Sequence, residues 1–535
     1  MLDSPETYPR PVLANSTNVC HGDDPKPCLS TFQLPSPPED IKSKRRCSDP
    51  EDIPTKRVKY SPTEREPANV LDNDLEMQDL AVVKRRSRRH TAFGILNAAS
   101  TAGPSKFRGS LLSTRPILQS FVSSNKSDVF KCHSTSANSF VTPPYACAYS
   151  HGAKNGGAPI IAVATEQGSV LVLNTSKRRD WEFEPQRTIL EPHDNGIFDV
   201  KWNLDDTLLA TASGDKTTRI TSVERQSTLH ILRGHTSTVK CAAWDPSHKD
   251  LLSTGSRDGM VCLWDLRVSG PGNEDDIPVI APVMTIFAAH GQEKSKGGRR
   301  KAPPSPRSVT NLIYSDGQPH NLVSSGSFDG ILHSWDIRLP TPPHKQTPKT
   351  FRTPTPQYSS ALDPTTLNGS RRPRGITGLT SGSGPTAGLL FALGADSHLH
   401  TYSHSLMPLD ADTHPNMHTN SFYVRLAASP CGRWLASGNA GRNGSFFLFD
   451  VSNAGRASVS SYARCSNPAQ TMVELRGQTG EIGAVDWADG MVATCADDGT
   501  VRVWRPDVEV YRKCAADPQE QKWEWTWSTA DSWHL

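Results

Sequence analysis

From about residue 141 onward, short apolar runs rich in β-branched residues end in turn signals, and the pattern recurs roughly every 40 to 70 residues. The clearest unit begins at Gly234-His235, turns at Arg257-Asp258-Gly259 and closes at Trp264-Asp265. Such repeats, with Gly-His and Trp-Asp signatures, are typical of WD repeats, each of which forms a four-stranded blade. Seven units fit the pattern, three clearly and four faintly. The sequence therefore predicts an all-β fold, a seven-bladed WD40 β-propeller.

The polar residues that recur in these units have a structural interpretation. In WD repeats a buried His, a Ser or Thr, an Asp and a Trp hydrogen-bond one another, and buried polar groups need such partners. The predicted networks are His235, Thr254, Asp258 and Trp264 in the third blade, and His290, Ser325, Asp329 and Trp335 in the fourth. We therefore assign His235 and Asp258 to blade structure and not to a catalytic pair.

Two blades depart from the repeat pattern. The second has Thr221-Ser222 where Trp-Asp is expected, and the seventh has Gly477-Gln478 in place of Gly-His. Because each change removes one member of the buried network, we expect these two blades to be more loosely held.

The chain on either side of the repeats has a different composition. Residues 1–100 are rich in Pro, Ser and charge and show no sustained apolar period, so we expect a disordered basic tail. Residues 101–140 form a lead-in segment, residues 141–505 the propeller and residues 506–535 a C-terminal tail. That last tail carries Trp523-Glu524-Trp525-Thr526-Trp527, which fits either a docking peptide or an extra packed strand.

Two insertions interrupt the predicted ring. Residues 291–307 form a basic Gly/Pro/Ser loop in the fourth blade, and residues 340–374 form a Pro/Thr-rich link. Long loops on a rigid scaffold are often functional. Arg299, Arg300 and Arg371 in these loops are therefore candidates for contacting acidic patches of a substrate.

Basic clusters in the N-terminal tail indicate nuclear import. Short Lys/Arg runs serve as import signals or nucleic-acid patches, although a single run also fits a solvated tail. Three clusters within about 50 residues favour import and a nuclear location. The candidate residues are Lys44, Arg45 and Arg46; Lys56, Arg57 and Lys59; and Lys84, Arg85, Arg86, Arg88 and Arg89.

Composition narrows the class of protein. The 58 Lys and Arg nearly balance the 55 Asp and Glu. The 11 cysteines lie far apart without paired zinc-ligand spacing, so we expect reduced thiols, an intracellular protein and no bound metal or cofactor. The sequence has no apolar run long enough to span a bilayer, and we expect no signal peptide because its first residues lack an apolar stretch of that kind. Because phosphate-loop and hydrolase motifs are also missing, we expect a binding protein and not an enzyme.

Trp-Asp-x-Arg occurs twice, at Trp264-Asp265-Leu266-Arg267 and Trp335-Asp336-Ile337-Arg338. In consecutive blades both Arg side chains would emerge on the same rim, where a planar guanidinium suits bidentate contacts at an interface. A solvated Arg that merely follows its strand is the alternative, and a second copy makes it the weaker one. The 16-residue pattern that ends at each Arg resembles the box of substrate receptors that dock to the damaged-DNA-binding adaptor of cullin-4 ubiquitin ligases.

Further segments resemble the denticleless family, over about residues 140–505. These segments are PYAC at 144–147, AVATEQG at 162–168, HDNGIFDV at 193–200, ASGDKTT at 212–218 and NSFYV at 420–424. The basic insertion before Ser308-Val309-Thr310 also lies where that family has one. The resemblance implies a substrate receptor of the nuclear cullin-4 RING ligase, which recruits replication-licensing and cell-cycle proteins bound to PCNA for ubiquitination and degradation.

The resemblance implies that Arg267 and Arg338 contact the adaptor, together with Trp264, Asp265, Trp335 and Asp336. Cullin-4 and its RING subunit would then be indirect partners. Longer family members extend beyond the propeller with a clamp- and DNA-binding tail, whereas this sequence ends at Leu535.

Two other functions stay open. One is a chromatin or ribonucleoprotein scaffold that binds peptides without a ligase, for which paired Trp-Asp-x-Arg boxes are unnecessary. The other is direct nucleic-acid binding through the basic tail and Arg299-Arg300-Lys301, which predicts a steep salt dependence.

Overall fold

The structure, a computed structural model, describes residues 114–136, 140–177, 187–268, 270, 272–274, 276–291, 307–315, 317–338, 355–367, 370, 372–455 and 472–528. These residues form seven sheets that follow one another along the chain. The prediction of a seven-bladed WD40 β-propeller is therefore confirmed. The tail 1–100 and all but the ends of the insertion 291–307 lie outside the described residues. None of the described helices has the length and apolar character needed to cross a membrane.

The described chain begins with three elements that precede blade one, and the elements of blades one and two follow. They are α1 (Arg115–Gln119), β1 (Phe121–Ser124), β2 (Val129–Lys131), β3 (Pro144–Tyr149), α2 (His151–Lys154), β4 (Ile160–Thr165), β5 (Val170–Asn174), β6 (Arg187–Leu190), β7 (Ile197–Trp202), β8 (Leu208–Ser213), β9 (Thr217–Ser222) and β10 (Ser227–Arg233). Blade one is β3 to β6, and blade two is β7 to β10.

Blades three and four follow, with an added hairpin inserted between the third and fourth strands of blade three. Their strands are β11 (Val239–Trp244), β12 (Leu251–Ser256), β13 (Val261–Asp265), β14 (Gly272–Glu274), β15 (Ile277–Ile280), β16 (Met284–Ile286), β17 (Val309–Ser315), β18 (Gln318–Gly326), β19 (His333–Asp336) and β20 (Tyr358–Ser359). The hairpin β14–β15 extends blade two, because β15 pairs with the outer strand β10. Strand β16 completes blade three.

Blades five to seven and the C-terminal elements complete the described chain. They are β21 (Ile376–Ser381), β22 (Leu389–Gly394), β23 (Leu399–Ser403), β24 (Pro408–Asp412), β25 (Leu426–Ala428), β26 (Trp434–Ser437), β27 (Ser445–Asp450), β28 (Met472–Arg476), β29 (Ile482–Ala488), β30 (Met491–Ala496), β31 (Thr500–Pro506), α3 (Val508–Ala516), α4 (Pro518–Gln521) and β32 (Trp525–Trp527). The first strand of each blade contacts the first strand of the next, from β3 and β7 round to β29 and β3.

Apolar side chains hold neighbouring blades together. Ile161 and Val163 of blade one share a buried cluster with Ala493 and Val503 of blade seven. Comparable clusters join the other neighbouring blades. Full burial of one aliphatic side chain stabilises a fold by about 1.5–3 kcal/mol. The core is therefore a ring of interblade layers around a central channel.

Strands from both flanks of the predicted propeller close the ring. β1 pairs with β31 at Phe121–Pro506, and β32 pairs with β1 at Val122–Trp527. The Phe121 ring packs edge-on against Trp487, with centroids 5.8 Å apart. The propeller sheet thus extends beyond the expected bounds 141–505 on both sides, and the Trp-rich tail segment is a packed strand.

Part of the Pro/Thr-rich link is likewise a strand. Tyr358–Ser359 pairs with β19 and supplies the outer strand of blade four, where a loop was expected. The Asp363 carboxylate then caps a short 3₁₀ turn and accepts a hydrogen bond from the Gly330 amide at 3.1 Å. Two residues are too few to show the alternation of a strand, so the sequence gives no sign of it. The nearby prolines are compatible with it because an edge strand tolerates Pro.

The polar network of blade three joins the four residues that the sequence singles out. The His235 Nε2 lies 2.8 Å from Thr254 Oγ1, and its Nδ1 lies 3.3 Å from Asp258 Oδ2. The Trp264 indole donates to the same Thr254 hydroxyl at 2.8 Å. Each buried polar group therefore has a partner, as burial requires.

Blade four uses a different serine from the one predicted. Ser324, not Ser325, bridges His290 and the Trp335 indole, each at 2.9 Å, whereas Ser325 bonds Thr310. Asp329 is outside the network and pairs with Arg307 at 3.3 Å. The reason is a difference in register between the two blades. The paired residues Ser324 and His333 are one position further apart in sequence than the corresponding pair Thr254 and Cys262 of blade three, so the serine that faces the Trp comes one residue earlier.

Blades two and seven keep most of the network despite their substitutions. In blade two, His193 contacts Thr211 and Asp215 at 2.9 and 2.6 Å. In blade seven, the Thr494 hydroxyl donates to Gln478 at 2.5 Å and accepts from Trp504. Gln replaces His there because its amide also offers both an acceptor and a donor.

Candidate functional site

Strands β13 and β19 end at one rim of the ring, which we call the WD rim, and each is followed by an exposed Arg. Arg267 turns back to Asp265, with Nε and Nη2 donating to the two carboxylate oxygens at 2.8 and 2.7 Å. Arg338 repeats this with Asp336 at 3.1 and 2.8 Å. The two Arg side chains are 65% and 59% exposed. Bidentate pairing therefore fixes two outward-facing guanidinium planes in the same way.

The other predicted adaptor contacts are placed differently from the arginines. Trp264 and Trp335 are buried in their blades. The Asp265 and Asp336 side chains are mostly covered, and the Arg hydrogen bond holds the pKa of each below its ordinary value. Of the six residues, only the arginines are available for extensive contact with a partner, while each Asp orients its Arg.

Neighbouring loops bring blades three and four together at the WD rim. The rings of His248 and His320 lie 6.3 Å apart between these blades. A cavity of about 650 Å³ beside Arg338 is lined by His320, Tyr358 and His404. The rim therefore combines two oriented cations with a recess that could accept a side chain.

The opposite end of the channel, which we call the channel mouth, is built from β-bulges. In six blades the first strand has a register shift around its second residue, and a bulge of this kind re-aims a side chain. The bulge residues are Tyr145, Phe198, Lys240, Thr310, Thr377 and Gly483. Arg425 holds the equivalent position in blade six, directly before β25.

Arg425 crosses the channel at this level. Its Nη2 donates to the carbonyl oxygens of Phe198 at 2.9 Å and Lys240 at 3.2 Å, and its Nη1 donates to Asn311 Oδ1 at 3.2 Å. One side chain of blade six is thereby tied to blades two, three and four.

Four aromatic rings line the mouth beside Arg425, and we call them the aromatic cluster: Tyr145, Phe198, Phe422 and Tyr423. Ring centroids are 4.6 Å apart for Tyr145–Tyr423 and 4.1 Å for Phe422–Tyr423. The Lys240 ammonium lies 3.8 Å from the Phe198 centroid and 4.1 Å from that of Phe422. Both distances are within cation–π range.

A cavity of about 400 Å³ adjoins the cluster, and we call it the cationic pocket. Lys240, Arg257 and Arg425 line it, together with polar side chains that include Ser308 and Asn420. Burial, followed by the charges of Arg425 and Arg257, lowers the pKa of Lys240 to about 8.

Glu166, Glu481 and Asp497 form an acidic border beside Tyr145 and Tyr423, two rings of the aromatic cluster that do not line the cationic pocket. Burial raises the pKa of Glu481, and the charge of Asp497 adds to the effect. Burial also raises the pKa of Asp497, with Glu166 contributing. The mouth therefore changes from positive to negative across the aromatic cluster.

Several predicted site residues lie outside the described residues, and the channel mouth was missed. The import candidates between Lys44 and Arg89, and Arg299, Arg300 and Arg371, are among those not described. A sequence signal for the mouth does exist. In five of the six bulged blades the bulge residue directly follows an Ile or Val that begins the first strand, as in Ile197-Phe198 and Val239-Lys240.

Comparison with known proteins gives one matching family model and a set of named relatives. The family of the WD domain, G-beta repeat, matches residues 183–222, 226–265 and 469–505. The denticleless protein homolog of Danio rerio is 30% identical over 385 residues, covering 69% of this chain and 52% of that protein. The human homolog is 28% identical over 389 residues, covering 68% and 46%.

This chain is also similar to a fly protein and to a chain of a solved structure. The Drosophila melanogaster protein lethal(2)denticleless is 27% identical over 384 residues, covering 66% of this chain and 44% of its own length. The chain thus spans about half the length of the curated relatives it matches. A chain from a crystal structure of the mitotic checkpoint complex aligns with TM-score 0.47 and 16% identity, covering 71% of this chain and 92% of that one.

Proposed function

We propose that this chain, a WD-repeat protein related to the denticleless proteins, is the substrate-recognition subunit of a nuclear cullin-4 RING ubiquitin ligase. In this role it binds the ligase adaptor on one side and a degron-bearing protein on the other. The substrates are replication-licensing and cell-cycle proteins presented on PCNA, which are then ubiquitinated and degraded.

The chain contributes position and not chemistry to this reaction. A ubiquitin-conjugating enzyme recruited by the RING subunit would transfer ubiquitin, and the propeller would hold the acceptor lysine within its reach. Holding two reactants together converts a bimolecular step into an effectively unimolecular one. A rigid ring suits the task, because its opposite ends can bind two partners at a fixed separation.

The observation that carries the proposal is the matched geometry of Arg267 and Arg338. Both extend from the same rim in consecutive blades, and each is held by an Asp two residues earlier. Because the Asp already orders the guanidinium, less side-chain entropy is lost when a partner binds. If the two arginines were merely solvated, there would be no reason for the same Asp–Arg hydrogen bonds in both blades.

The proposed nuclear location rests on the three basic clusters of residues 1–100. An import signal must be exposed and rich in Lys or Arg, and these clusters meet the compositional requirement. Nuclear import would bring the receptor to the replication proteins that we propose as substrates.

Co-precipitation from cells tests the ligase role. The full chain would be expressed as wild type, as Arg267→Ala/Arg338→Ala, and as Arg442→Ala, whose side chain is exposed away from the WD rim. We expect the adaptor and cullin-4 with wild type and Arg442→Ala but not with the double variant. Recovery of neither with wild type would instead favour a chromatin or ribonucleoprotein scaffold without a ligase.

A further inference from the structure

Three cations line the cationic pocket. None of Lys240, Arg257 and Arg425 has a carboxylate within 4.0 Å among the described residues. Arg425 is satisfied by carbonyl and amide oxygens, which leave its charge unneutralised. Like charges gathered in a cavity repel one another, and a bound anion would remove that cost.

The fold holds Lys240 half-buried in this position. Its ammonium sits over the faces of Phe198 and Phe422, and the bulge at the start of β11 directs it there. The lowered pKa of Lys240 agrees with an ammonium that is short of anionic partners.

We propose that the cationic pocket binds an anionic side chain of a peptide partner, either a phosphorylated residue or a carboxylate. The anion would contact Lys240, Arg257 and Arg425, and the hydroxyls of Ser308 and Thr310 offer further donors. The exposed ring of Phe422 beside the pocket offers an apolar surface to the neighbouring peptide residue.

The acidic border of the mouth favours a peptide over a nucleic acid. A nucleic-acid backbone that entered the cationic pocket and continued across the mouth would meet Glu166, Glu481 and Asp497 on the other side. Its repeated phosphates would be repelled there, whereas a peptide with one anionic residue would not. A single anion thus fits the charge pattern better than a chain of anions.

As a description of substrates this inference rests on the proposed function, but the pocket can be tested without any ligase. It lies at the opposite end of the channel from Arg267 and Arg338. Lys240→Met should therefore retain adaptor binding, and Arg267→Ala/Arg338→Ala should retain peptide binding. Failure of one function would leave the other measurable.

Selection from peptide libraries provides the test. Three degenerate libraries with a fixed central phosphoserine, glutamate or serine would be passed together over the immobilised full-length protein, and retained peptides quantified by mass spectrometry. Matched variants are Lys240→Met beside Lys249→Met, and Arg257→Gln beside Arg433→Gln, the controls being exposed residues outside the pocket. Circular dichroism would verify that each variant is folded.

We expect wild type to retain the phosphoserine or glutamate library at least about tenfold over the serine library. Lys240→Met and Arg257→Gln should each lose that preference, while both controls keep it. The relative retention of phosphoserine and glutamate identifies which anion is preferred. Equal retention of all three libraries, or an unchanged preference in both pocket variants, would overturn the proposal. Tighter Lys240-dependent binding of a single-stranded oligonucleotide would overturn it as well.

Discussion

The Arg425 guanidinium donates a hydrogen bond of 2.9 Å to the carbonyl oxygen of Phe198, a residue 227 positions earlier in the chain. This bond crosses the central channel from blade six to blade two. With the bonds to Lys240 and Asn311, it ties one half of the ring to the other. The channel mouth is therefore held by a polar crosslink in addition to the interblade apolar layers.

Replacing Arg425 with Met should loosen the ring. The three acceptors would lose a charged donor, and hydrogen bonds to charged groups contribute about 1.5–3 kcal/mol each. We expect a loss of about 2–4 kcal/mol in the free energy of unfolding, because water can reach part of the site. Thermal unfolding of Arg425→Met beside Arg433→Met, an exposed arginine, measures this. An equal melting temperature for the two variants would contradict a crosslinking role.

Ser324 and Ser325 allow a test of the register of blade four. Ser324→Ala leaves His290 Nε2 and the Trp335 indole without their shared partner, which should destabilise the protein by about 1–3 kcal/mol. Ser325→Ala breaks one bond to Thr310, so we expect a smaller loss of about 1 kcal/mol or less. Chemical denaturation of the two variants compares them. A larger loss for Ser325→Ala would show that the network uses the other serine.

These neighbouring serines mark how far sequence can predict the site. The period of the repeats is enough to predict seven blades, and the spacing of blade three is enough to place His235, Thr254 and Trp264 together. In blade four the same spacing leads to Ser325, because one additional residue in the β18–β19 connection is invisible until strands are paired. A one-residue change in register exchanges the two faces of a strand.

Ring closure and the channel mouth were harder to predict for different reasons. β1 and β32 are short strands whose partners lie hundreds of residues away, so no local pattern identifies them. At the mouth, Lys240 and Arg425 come from blades three and six and share only their place in the repeat. No local sequence pattern distinguishes either of them from other charged residues, and only the closed ring places them in one cavity.

Phe121 tests closure of the ring by β1. Its ring is fully buried against Trp434 and Trp487 at the joint between blades six and seven. Phe121→Ala should cost about 3–5 kcal/mol through lost burial and the cavity left behind. Phe140→Ala is a matched control, since that ring is 68% exposed. Differential scanning fluorimetry that found both variants as stable as wild type would contradict the closing role of β1.

Asp258 should give the blade-three network a pH dependence in acid. Burial raises the pKa of Asp258, but the hydrogen bond and charge of His235 outweigh it and bring the pKa to about 2. Because this is below the ordinary value of about 3.9, the carboxylate stabilises the fold above pH about 4 and loses that effect as the pH falls toward 2.

Comparison of Asp258→Asn with wild type isolates this contribution. We expect the variant to be less stable by a constant amount from pH about 4.5 upward, and the difference to shrink as the pH falls toward 2. Melting temperatures across this range measure the difference. A gap that widened in acid would mean that His235 does not stabilise the charged carboxylate.

Direct binding of the purified adaptor tests the central claim most directly. Full-length wild type, Arg267→Ala, Arg338→Ala, the double variant and Arg442→Ala would be compared by biolayer interferometry. We expect each single variant to weaken binding by about 2 kcal/mol or more, as for an interfacial hot spot, and the double variant to bind more weakly still. Arg442→Ala should match wild type. A folded double variant that bound the adaptor as tightly as wild type would contradict docking through the WD rim.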